Sequence, residues 1–217
     1  MDQKIVSYSF VGIWEKPLLN IPLLDNRFCK DLFDDPYNTN TGMSPEGFVI
    51  NYQARTNPSP TVLIGNRRIM VLSNDLVQVL DIFEKVKSEL NRVTNGSFPM
   101  KLRSYGLNTE YEFVGLEKSS SQWMSERFIL KGLAIKEKHK KYKIRTTDIN
   151  FQILLNDNQK LVILIQPRTN IPKGVFISIN HHKDEVLETL PNREELNKLF
   201  KDSIDMLEKN IFELILN

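Results

Sequence analysis

Two segments of this chain repeat their apolar residues at helical spacing, and much of the remainder repeats them at spacing two. That change of period is the strongest restriction on what the chain can fold into. Leu196, Leu199, Phe200, Ile204, Leu207, Ile211, Leu214 and Ile215 fall at steps of three and four and make one apolar stripe. Asn192 stands before it with Glu195 three residues on, a pairing that satisfies free amides at a helix start, so the spacing predicts a helix over 193–216. A second stripe of Leu76, Val79, Leu80, Phe83, Val86, Leu90 and Val93 predicts a helix over 76–93. Ser73, Asn74 or Asp75 caps that helix, and Asn95-Gly96 stops it.

Elsewhere the alternation is that of strands with one buried face. Phe48, Ile50, Tyr52 and Ala54 alternate with polar residues, and "PTVLIGNRRIMVLS" reads as two strands around a turn at Gly65-Asn66. Later, Thr147, Ile149, Phe151, Ile153 and Leu155 alternate, a hairpin closes at Asn156–Gln159, and "GVFISIN" supplies one more strand. Short connections favour antiparallel meanders. The expected class is α+β: two similar halves, each a meander followed by a long amphipathic helix, over 1–117 and 118–217 within one compact unit. "EKSSSQWMSE", 117–126, is the expected connector. Residues 15–45 form a long connection of the kind that often binds something, with a short helix within "DNRFCKDLF".

Composition narrows the function classes. One cysteine forms no internal disulfide, and one cysteine with three histidines is too few for a structural zinc site. A reducing cytoplasm fits. "MDQKIVSYSF" lacks the basic and apolar regions of a secretory leader, and no stretch approaches the ~20 apolar residues of a membrane helix, so no membrane is expected as partner. The net charge of +2 is small but unevenly spread. In 136–145, Lys136, Lys138, Lys140, Lys141, Lys143 and Arg145 face one acid, Glu137, whereas acids outnumber bases from Asp184 onward. Basic patch and acidic helix are complementary, within one chain or between two.

The order of elements carries a resemblance. "MVLSND" before a long helix, "RSYGLNTEYEF" after it, and "VFISINHH" before a closing helix rich in Leu and Phe resemble a patchily distributed family of uncharacterised prokaryotic proteins over most of the chain. "SYGLNT" departs from the run that usually marks the family's middle strand. The resemblance implies no activity for any residue; it implies an accessory role, in defence against mobile elements. The second half is also similar in topology to the secretion chaperone SecB, an analogy of fold alone.

Chemistry-bearing residues cluster at "NHHKDE", where His181, His182, Asp184 and Glu185 supply bases, acids or metal ligands in principle. Neighbours on a strand point to opposite faces, however, so the two histidines do not reach one metal without a bend. The chain has no glycine-rich phosphate loop and no GxSxG elbow. Arg27 and Lys30 lie close enough in sequence to lower the pKa of Cys29, against which its apolar neighbours Phe28 and Leu32 make it a small packing residue.

The expected function is therefore non-enzymatic: a binding or assembly protein, self-associating or with a protein partner, acting through its sheets and the 15–45 loop, with no cofactor. The alternative is nucleic-acid binding through Lys138, Lys140, Lys141, Lys143 and Arg145, with Tyr142 and His139 to stack and Arg67 and Arg68 as a second basic site. Lysines along a hairpin also protect a sheet edge from foreign strands. A third reading, a metal-dependent hydrolase or nuclease at 180–185, needs distant acids such as Asp34, Asp35 or Asp148 to converge there.

Overall fold

The computed structural model describes residues 1–22, 24–53, 58–98, 100–130, 148–168 and 170–216. The basic stretch 136–145, with Lys138, Lys140, Lys141, Lys143 and Arg145, lies outside the described residues, as do Ala54 and Thr147. The strands are β1 (Asp2–Trp14), β2 (Thr39–Ser44), β3 (Gly47–Tyr52), β4 (Thr61–Ile64), β5 (Arg68–Ser73), β6 (Leu102–Val114), β7 (Ile149–Asn156), β8 (Gln159–Pro167) and β9 (Gly174–Lys183). Among the described residues they form one antiparallel sheet, in the order β2-β3-β4-β5-β1-β6-β9-β8-β7. The fold is α+β. Its sheet runs unbroken past residue 117, because β6 pairs with β1 on one side and β9 on the other.

The helices are α1 (Asn26–Asp31), α2 (Leu76–Val93), α3 (Ser120–Met124), α4 (Arg193–Met206) and α5 (Phe212–Leu216). Asp75 caps α2 by accepting from the Val77 amide at 2.7 Å, and Asn95 and Gly96 turn the chain away with positive φ. Asn192 and Glu195 form the reciprocal cap expected of them at α4. A π-helical turn, Leu207–Ile211, joins α4 to α5 inside the predicted 193–216 helix. The extra residue of that turn shifts the stripe beyond it: Leu207, Ile211 and Ile215 are buried as expected, but Leu214 is 66% exposed and Phe212 is buried instead.

Every described helix contributes its buried residues to one face of the sheet. Alternate residues of the central strands, among them Phe10, Trp14, Tyr105, Leu107, Ile69 and Val71, meet α2 and α4 there. Phe10 lies edge-on to Phe83 at 5.0 Å, and Tyr8 edge-on to Phe200 at 6.1 Å. Beyond β6 the same face carries a second cluster of Tyr111, Phe113, Ile163, Ile177 and Phe212. Burying each such side chain contributes about 1.5–3 kcal/mol.

One strand goes unannounced by its sequence, and two local expectations are corrected. β1, the central strand, has the required alternation in Tyr8, Phe10 and Trp14, yet serines on its other face hide the pattern. β2 lies inside the expected 15–45 loop, a polar edge strand that pairs with β3 around Pro45-Glu46. The 117–126 connector is instead α3 and the start of a π-helical turn (Ser125–Leu130): Met124 is buried and the Ser120 hydroxyl donates to the carbonyls of Pro172 and Gly174. The predicted short helix in the loop is α1, capped by Asp25.

Candidate functional site

Strand register divides the histidines of the 180–185 cluster. His181 stands opposite Leu107 and Leu161 and points toward α4; His182 stands opposite Gly106 and Lys160 on the other face. The two rings serve different neighbours.

His181 is the buried one, 5% exposed. Its Nδ1 lies 2.9 Å from the Ser203 hydroxyl of α4, and its Nε2 3.4 Å from Oε1 of Gln159. Gln159 spends its amide group on Glu185, donating to Oε1 at 2.6 Å, and the Tyr105 hydroxyl donates to the other oxygen at 3.3 Å. Since the Gln159 oxygen is then the acceptor, the set is satisfied by a neutral ring protonated at Nε2 and accepting from Ser203 at Nδ1. Burial, with the nearby Lys183 ammonium, holds the His181 pKa down to about 4 against a small opposing pull from Glu185. Burial and Glu185 also push the Tyr105 phenol well up. A base this weak, enclosed by a serine and an amide, is built to stay neutral and tie α4 to β8 and β9.

His182 faces the opposite side and meets Asp184 at 2.9 Å. The acids needed for a metal site lie elsewhere. Asp34 faces Lys85 at 3.8 Å, Asp35 accepts from Asn38 and Tyr52, and Asp148 accepts from Gln166. Asp148 precedes Ile149, which is paired with Ile165, four residues along β8 from Leu161 opposite His181. Among the described residues no three His, Cys, Asp or Glu side chains come together as metal ligands. Ser203, Gln159 and Tyr105 belong to the network but carry no mark in the sequence, because three separate elements supply them.

Arg67 and Arg68 occupy the start of the β4–β5 hairpin's second arm. Arg68 pairs with Glu46 across to the β2–β3 turn. Arg67 is exposed and, with Arg103, lines a cavity of about 270 Å³. A wider trough of about 570 Å³ runs between α1, α2 and the start of α4, where Arg92 pairs with Glu89 and Arg193 with Asp81.

Cys29 is the packing residue its apolar neighbours suggest, not the reactive thiol its basic neighbours would allow. It is buried, and burial together with the Glu89 and Asp25 carboxylates raises its pKa to about 11. No described helix is long and apolar enough to cross a membrane.

Among the described residues, no helix packs on the other face of the sheet. On β1, β5 and β3 it carries the half-buried Val11, Ile13, Met70, Leu72 and Val49 around the buried Leu63 of β4; on β8 and β9 it carries the half-buried Val162, Leu164 and Phe176. None of these belongs to the helix-side clusters. A polar band on β1 and β6 separates the two patches, with Ser7 donating to Glu110 and Asn108 donating to Ser9 at 2.9 Å.

Comparison with models of known protein families and with curated proteins finds no match to this chain.

Proposed function

We propose that this is a non-enzymatic assembly protein that self-associates through the sheet face opposite its helices. The observation that carries the reading is the pair of apolar patches on that face, left uncovered by every described helix. Nine strands about 4.8 Å apart, with about 20 Å of strand length, offer about 800 Å², the area per partner of an ordinary protein interface. Large uncovered apolar patches of this kind mark contact surfaces. The pattern also suits a two-fold pairing, in which one patch must meet a copy of itself or of its neighbour. The polar band fixes register, since an unmatched Glu110 or Asn108 disfavours a shifted arrangement.

The 180–185 cluster supports this reading rather than catalysis. His181 is committed to holding α4, and His182 lies on the far side of the sheet from it. An accessory role, as the prokaryotic family resemblance implies, needs only such a surface.

A common origin for the two halves is part of the proposal. It is supported by the strand order, which runs outward from β1 as β5, β4, β3, β2 and from β6 as β9, β8, β7, the first set having the edge strand β2 in addition, with α2 following the first set and α4 the second. On this reading the division falls before β6, not at 117. Sedimentation of the purified protein against concentration tests self-association: a mass above the 25.3 kDa of one chain is expected.

A further inference from the structure

Arginine pairing in this molecule has a pattern with two exceptions. Arg27 pairs with Asp31, Arg68 with Glu46, Arg92 with Glu89, Arg168 with Glu112 and Arg193 with Asp81, while Arg127 donates to the Ile215 carbonyl. Among the described residues, Arg67 and Arg103 are the two arginines whose guanidinium groups have neither an ion pair nor a hydrogen bond. They line the same cavity of about 270 Å³.

The fold holds both in place through the backbone. The Arg67 carbonyl accepts from the Trp14 amide at 3.0 Å, and the Asn66 carbonyl accepts from Leu18 at 2.7 Å, which straps 14–18 onto the β4–β5 turn. Arg103 sits at the irregularity in β1–β6 pairing, where Ile13 opposes Ser104 but Trp14 opposes Leu102. The bulge turns that residue out beside the end of β1. Ile13, Trp14 and Pro17 supply apolar wall. The remaining charged wall residue, Glu15, is held by Lys101 at 3.2 Å, an ammonium that also pairs with Glu188 at 3.1 Å, so neither guanidinium has an acid of its own.

We infer that this cavity binds a small organic phosphate monoester, its phosphate held between Arg67 and Arg103 and its apolar body against Ile13 and Pro17. A monoester carries close to two negative charges at neutral pH, matching two guanidinium groups, and its oxygens accept their paired donors in bidentate fashion. A carboxylate leaves one positive charge unmatched. A cavity of this size is small for a drug-sized ligand and suits a single ring. The inference does not need the open sheet face to be an interface; Ile13, at the edge of that face, is shared by the two readings.

Titration calorimetry of the full chain with phenyl phosphate at low ionic strength tests it, with benzoate and inorganic phosphate as comparisons. The expected result is saturable binding at one site per chain, tighter for phenyl phosphate than for either comparison. Arg67→Gln and Arg103→Gln each weaken it about tenfold or more, with thermal unfolding unchanged. Arg103→Lys, which keeps the charge and loses the fork, weakens it in the same direction. No saturable binding, full affinity in both glutamine variants, or equal affinity for inorganic phosphate overturns the assignment.

Discussion

The imidazole Nδ1 of His181 lies 2.9 Å from the Ser203 hydroxyl, joining the last strand of the sheet to the helix that follows it. The ring is neutral when folded and has a pKa near 4, against about 6.5 when unfolded. A depressed folded pKa means that the unfolded chain takes up the proton first. The contribution is complete above pH 6.5 and is lost as pH falls from there toward 4. The loss is at most about 3–4 kcal/mol, the full difference between the two pKa values. Urea denaturation at pH 7 and pH 4.5 checks it: the parent loses more stability over this interval than His181→Gln, which has no proton to bind.

A second tie anchors the long connection between β1 and β2. The buried Glu89 carboxylate accepts from both Nε and Nη2 of Arg92 at 2.7 Å, and from the Asp25 amide at 3.3 Å. Arg92 holds the Glu89 pKa below the usual carboxylate range, so this tie is present above about pH 4.5 and fades as acid protonates it. Glu89→Gln keeps the shape and loses the charge. It is expected to cost about 1–2 kcal/mol. Hydrogen exchange should show the loss as faster exchange over 25–32, with the central strands unchanged.

The hairpin joining β2 to β3 depends on Gly47, whose φ is +145° and whose added Cβ would lie 2.4 Å from the Ile64 carbonyl. That neighbour is backbone and does not move aside. Gly47→Ala is expected to cost about 2 kcal/mol or more. Gly42, on the same hairpin, has nothing within 4 Å of such a carbon, so Gly42→Ala should leave the unfolding midpoint nearly unchanged. Equal effects of the two substitutions contradict the packing described.

Cys29 should be inert in the native protein. With its thiol buried and its pKa raised to about 11, thiolate is scarce at neutral pH. A thiol reagent such as an aromatic disulfide is expected to label it only after denaturant is added. Stoichiometric labelling of the folded protein within minutes contradicts that burial.

What the sequence made legible follows from which signals are local. Helix stripes and their caps depend on residues within a few positions, so the cluster Ser73, Asn74 and Asp75, and the pair Asn192 and Glu195, marked helix starts that the structure places at 76 and 193, with Asp75 the one of the three that caps. Strand pairing across the sheet is nonlocal. Nothing within 102–114 announces that β6 lies between β1 and β9, or that Ile13 and Trp14 meet it across an irregular pairing that exposes Arg103. The serine run 119–121 reads as a connector because serine suits loops, but here Ser120 is buried and bonded to two carbonyls, which tertiary packing alone decides. Likewise the histidines were visible as a pair, whereas the separation of their roles needed the neighbours Ser203, Gln159 and Asp184.

The central claim is that the uncovered sheet face joins one copy of this chain to another. Met70 and Leu72 lie on that face in β5, on the opposite side from the buried Ile69 and Val71. Analytical ultracentrifugation of the parent and of the double variant Met70→Glu, Leu72→Lys tests this directly. The account predicts that the parent sediments as an oligomer and the variant as a folded single chain of 25.3 kDa with unchanged circular dichroism. A parent that remains a single chain at every concentration, or a folded variant that assembles as the parent does, contradicts it.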